Sequence, residues 1–180
     1  MSIRQRISLL ALSVIHFIFL VVLVEGNASN IGVQLVIISS LVFLIVGYVR
    51  APKSESTHSK IGTLIHPFAI AFAGVLTFYL STDLKLGPVI ASAGVGFIAS
   101  YLSLFNSSFL KSLPVPIYCG TFVGMCSSFL SEDYFFVGYA GLVAGIIYLI
   151  TRDALNGVGG KLGTIAFGGV VIVSCIFSLL

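Results

Sequence analysis

Residues 7–24 read ISLLALSVIHFIFLVVLV, 18 residues without a single Asp, Glu, Lys or Arg. A bilayer core is about 30 Å thick and offers the backbone no hydrogen-bond partner, so a chain crosses it as a helix of about 20 mostly apolar residues. This stretch has that length and character. Its apolar residues do not alternate with polar ones, as the strands of a membrane barrel would. A second run, residues 134–150, YFFVGYAGLVAGIIYLI, has the same character towards the other end of the chain.

Composition extends the expectation to the whole chain. Of its 180 residues 58% are hydrophobic and 8% are charged, whereas a soluble domain carries about 25% charged residues. That balance excludes a water-soluble globular protein, a disordered chain and a disulfide-dense secreted module. Nine Lys and Arg against six Asp and Glu cannot build a phosphate-tracking surface, so no nucleic-acid partner is expected. The expected partner is the lipid bilayer.

Cutting the chain at its charges leaves seven stretches of spanning length, residues 7–24, 31–49, 64–80, 86–105, 113–130, 134–150 and 162–180. The expected fold is an all-α polytopic membrane protein with seven transmembrane helices in a single transmembrane domain over residues 1–180. Lys and Arg favour cytoplasmic loops. With the N-terminus inside, Arg4, Arg6, Arg50, Lys53, Lys60, Lys111, Arg152 and Lys161 all fall on the inner side and only Lys85 outside, which gives an N-in, C-out orientation. Arg4 and Arg6 before an apolar run, with Gly26-Asn27-Ala28 after it, also fit a secretory signal. The run is longer than the usual signal core, which favours a retained helix. Multi-pass insertion in the plasma membrane follows, or in the inner membrane of a bacterium.

Lys60, Lys111 and Lys161 recur at intervals of 51 and 50 residues. Lys60-Ile61-Gly62-Thr63 resembles Lys161-Leu162-Gly163-Thr164, and Gly32, Gly87 and Gly138 mark the starts of the intervening spans. The pattern suggests one extra N-terminal helix followed by three tandem helical hairpins of about 50 residues. Small residues four apart, Gly120 with Gly124, Gly141 with Gly145 and Ser92 with Gly96, let membrane helices approach closely. Three small hairpins leave little room for a central pore, so a homo-oligomer is expected.

His16 lies in the middle of the first span. A polar group at that depth is costly unless paired, so it marks either a proton-handling residue or a neutral histidine bonded to a helix neighbour. His66 sits beside Pro67 at the start of the third span, where water can reach it. The segment 151–164, TRDALNGVGGKLGT, could present a nest of backbone N–H groups at Gly159 and Gly160, with Lys161 and Thr164 at a helix start suited to an anion. It lacks the phosphate-loop pattern, because Leu155 and Leu162 occupy required positions. Ser92, Tyr101, Tyr118, Gly120 and Thr121 complete the expected solute path.

Enzyme signatures are missing: there are no paired carboxylates in a span, no zinc-type histidine spacing and no Cys-x-x-Cys among Cys119, Cys126 and Cys175. No enzymatic activity, cofactor or metal is expected. The function expected is a small membrane transporter or channel for a small neutral or anionic solute. An accessory or scaffolding subunit of a membrane complex is the alternative, and a membrane enzyme ranks third.

Overall fold

The computed structural model describes residues 3–26, 31–32, 34–35, 37–39, 63–126, 133–151 and 160–179, and no strand occurs among the described residues. Helix α1 runs Ile3–Gly26. Ser8, Leu12 and Leu20 are buried and His16 is half-buried. Their four-residue spacing puts all four on one face. Leu10, Phe17, Ile18 and Val22 on the remaining surface are exposed. So large an apolar exposure suits lipid and not water.

After a 3-10 turn at Thr63–Ile65 come α2 (His66–Thr82), α3 (Pro88–Ser100), α4 (Ser108–Lys111), α5 (Pro114–Gly124), α6 (Tyr134–Thr151) and α7 (Lys161–Ser178). Pro67, Pro88 and Pro114 lie in first turns, where the missing N–H costs nothing and the fixed φ suits a helix. The turn from α2 to α3 passes through Lys85 at φ 54° and Gly87 at φ 80°, left-handed conformations that glycine adopts without a Cβ penalty. Gly160, at φ 86°, plays the same part just before α7.

The structure corrects the seven-span architecture. Among the described residues only three helices are long and apolar enough to cross a membrane, Ile7–Gly26, Tyr134–Thr151 and Lys161–Ser178. In the described part of the stretch 113–130, residues 113–126, the helix is 11 residues long, Pro114–Gly124, about 16 Å at 1.5 Å per residue. The stretch 86–105 gives a 13-residue α3 and then a 3-10 turn at Tyr101–Leu104. There Ser100 Oγ donates to Phe97 O (2.6 Å) and Ser103 Oγ to Ser100 O (2.6 Å), hydroxyl bonds that compete with the α-helical ladder. The third stretch gives a 17-residue α2 that ends at the Asp83 cap. The stretch 31–49 lies largely outside the described residues. One helix plus three equal hairpins, and the N-in, C-out alternation counted over seven crossings, fall with the count: elements of 17, 13, 11, 18 and 18 residues do not form a repeat. Apolar composition admits a span but does not extend a helix past residues that end it.

The chain divides into two compact units, Met1–Thr57 with Ile150–Thr164, and His58–Leu149 with Ile165–Leu180. In the second unit α2, α3 and α5 pack pairwise. A Cβ at Gly120 would overlap Ile70 O, and one at Gly124 would overlap Gly74 O, so the α2 and α5 backbones meet directly. A Cβ at Gly141 would come within 2.5 Å of Ala71 Cα, and one at Gly145 would overlap Pro67. Helix α2 therefore gives its Ile70–Gly74 face to α5 and its Pro67–Ala71 face to α6. Gly169 of α7 meets Ala140 O and Ala144 of α6 in the same manner. These are small-residue crossings of the kind that hold helices together where lipid supplies no hydrophobic drive.

Candidate functional site

Among the described residues of the first unit, Ser8 and His16 reach from α1 to polar groups of other elements. Ser8 is fully buried, and its Oγ donates to Ile150 O at 2.6 Å. Ile150 stands in the last turn of α6, where carbonyls have no partner within the helix, so Ser8 caps that end from 142 residues away in sequence. Two turns along α1, His16 Nδ1 lies 3.0 Å from Leu12 O, and its Nε2 lies 2.8 Å from Thr164 Oγ1. Thr164 Oγ1 is in turn 3.1 Å from Gly160 O, which also accepts the Thr164 backbone N–H at 3.0 Å. Thr164 and Thr151 are both buried.

The result is a line of polar groups, Leu12 O, His16, Thr164 and Gly160 O, joining the middle of a membrane-length helix to the first turn of another. Apolar side chains flank it on α1. Such a line can hold a proton, or offer a hydroxyl and an imidazole to a small polar solute, without placing a fixed charge in the helix middle. Lys161 opens the same turn of α7 and is partly exposed. Gly159 lies outside the described residues.

The remaining expected solute residues belong to the second unit. Tyr118 is exposed, and its ring lies where a Gly96 side chain would be, 2.9 Å from the position of a Cβ. It meets Phe122 edge-on at 4.9 Å between ring centroids. Ser92 is buried one turn before Gly96. Thr121 is fully buried with its hydroxyl bonded to Tyr118 O at 2.8 Å. Gly120 is occupied by the α2 crossing. Tyr101 is exposed and packs edge-on with Phe97. Of these residues Tyr118 is the one set against α3, at Gly96, whereas Gly120 faces α2 and Tyr101 stands apart on the 3-10 turn.

His66 is buried at the start of α2. Its Nε2 is 3.4 Å from Ser112 Oγ, and its ring meets Tyr148 edge-on at 5.8 Å. The Ser112 hydroxyl donates to Phe109 O at 2.7 Å, so Nε2 is the donor towards Ser112. The group ties α2, α4 and α6 together.

Sequence reasoning singled out His16 and Thr164 separately but missed their pairing, and it missed Ser8. The available signal was the four-residue spacing of Ser8, Leu12, His16 and Leu20, which places the two polar residues on the one buried stripe of α1. No family model, no curated protein and no solved structure matches this chain.

Proposed function

We propose that this chain is a small integral membrane transporter or channel that passes a small neutral or anionic solute, working as a homo-oligomer in the plasma membrane, or in the inner membrane of a bacterium. One observation carries the reading: a hydrogen-bonded line from His16, in the middle of one helix of membrane length, through Thr164 in the first turn of another to Gly160 O just before it. Polar groups at such depth are costly and are kept where they serve a path or a proton. The solute would meet hydroxyls and an imidazole first, with Lys161 drawing anions towards the start of α7. No catalytic step belongs to this reading.

The test is flux. Protein reconstituted in liposomes is given a panel of small anions and uncharged solutes. Selective uptake, reduced by His16→Ala or Thr164→Val, is the expected result. Equal leak with and without protein across the whole panel would sink the reading.

A second reading has its own observation. No described residue lies within 4 Å of a Cβ placed at Gly163, on membrane-length α7, or at Gly94 on α3. Open small-residue positions suit a neighbouring helix from another protein, as an accessory or scaffolding subunit would require. Co-purification of one stoichiometric membrane partner from native membranes, with no flux by the chain alone, is the result that favours it.

A further inference from the structure

The hydrogen count along the polar line of α1 depends on protonation. Leu12 O can only accept, so His16 Nδ1 carries a proton at that 3.0 Å contact. In the neutral ring Nε2 is then a bare acceptor, and its 2.8 Å contact is filled by the Thr164 hydroxyl proton. A threonine hydroxyl has one proton. Spent on His16, it is withdrawn from Gly160 O, 3.1 Å away. In the imidazolium both ring nitrogens donate. Nε2–H then gives to Thr164 Oγ1, and the hydroxyl is free to donate onward to Gly160 O. Only the charged ring satisfies all three contacts at once.

We infer that His16, Thr164 and Gly160 form a proton-reading relay, in which protonation of His16 reverses the Thr164 hydroxyl and transfers its hydrogen bond to the carbonyl that starts α7. The accepting carbonyl belongs to a glycine at φ 86°, the one residue type that holds this conformation at no steric cost, so the change lands where the chain turns into the helix. The charged residues on the elements that carry the relay are Arg4, Arg6 and Glu25 on α1 and Lys161 on α7. On α6, whose last turn receives Ser8 at Ile150 O, the titratable side chains are Tyr134, Tyr139 and Tyr148. Use of the relay to control flux rests on the transport reading. The relay itself does not, and the two are measured separately.

The experiment is nitrogen and carbon NMR of the full chain in lipid bilayers, with labelled histidine and with carbonyl-labelled glycine, followed over pH. Neutral His16 is expected as the Nδ1–H tautomer. The Gly160 carbonyl resonance should move together with the His16 ring nitrogens, with a common midpoint. Thr164→Val should abolish the carbonyl movement while His16 still titrates, and Thr164→Ser should keep it. A neutral Nε2–H tautomer, a Gly160 carbonyl that stays fixed while His16 titrates, or a carbonyl movement that survives Thr164→Val would each overturn the relay. Should Thr164→Val fail to fold, the tautomer and the common midpoint in the unaltered chain decide. Liposome flux without a relay, or a relay without flux, separates this inference from the transport reading.

Discussion

The phenolic hydroxyl of Tyr134 donates to the carboxylate of Asp83, so the residue that caps α2 is tied to the residue that opens α6. The Thr82 hydroxyl donates to the same oxygen at 2.9 Å, and the Tyr134 ring packs edge-on with Phe78 at 5.6 Å.

This clamp makes stability depend on pH. The Tyr134 hydrogen bond, and after it that of Thr82, hold the Asp83 carboxyl below its ordinary value. A carboxylate whose pKa is lowered by folding stabilises the fold above its unfolded pKa, and the contribution is lost as pH falls through the folded one. Tyr134→Phe is therefore expected to lower the melting temperature at neutral pH. The difference from the unaltered protein should shrink as pH drops from about 5 to about 2. Thermal melts in detergent over that range check both the sign and the window.

Two glycine substitutions on α5 should behave unlike one on α3. At Gly120 and Gly124 a methyl group would run into the α2 backbone, and forced overpacking costs about 1–3 kcal/mol. Among the described residues none lies within 4 Å of the corresponding position at exposed Gly94, where Gly→Ala within a helix gains about 0.5–1 kcal/mol. Denaturation of the three alanine variants tests the contrast. Equal effects at all three positions would show that α2 and α5 do not meet as described.

Ser8→Ala leaves the Ile150 carbonyl without the bond it receives from α1. Loss of one part-buried hydrogen bond costs about 0.5–1.5 kcal/mol. Equilibrium unfolding reads the loss, and amide exchange should rise in the last turn of α6 while the α2–α5 crossing stays protected.

Thr77 is expected to show the opposite sign. Its side chain is fully buried beside Gly124, and its Oγ1 has no hydrogen-bond partner among the described residues. Valine has nearly the same shape and removes an unpaired hydroxyl, so Thr77→Val should be neutral or stabilising by about 1 kcal/mol. A clear loss of stability would mean that the hydroxyl is bonded in solution.

The line of polar groups was half visible in the sequence. His16 stood out because a histidine in an apolar run is rare, and Thr164 because it follows a glycine-rich turn at a helix start. Their contact spans 148 residues, and no local pattern encodes a partner at that distance. Gly120 illustrates the opposite failure: its small size fitted both a solute path and a helix crossing, and only the position of Ile70 O shows which neighbour it meets. The helix lengths were misjudged for a related reason. A charge-free run marks what a bilayer would accept, whereas Pro114 at a helix start and the Ser100 and Ser103 hydroxyls at a helix end act on where the helix begins and stops.

The residues by themselves determined that the chain is helical and apolar, because hydropathy and the absence of alternation are local properties summed along a segment. They did not tell the three runs that form helices of membrane length among the described residues from the other charge-free runs. The tertiary structure decided which apolar runs stop short, which glycines bring backbones together, and which hydroxyl answers His16. The glycine crossings and the His16 contact depend on the position of one atom against another between segments distant in sequence, 148 residues in the case of His16 and Thr164, where a displacement of about 1 Å separates a hydrogen bond from none.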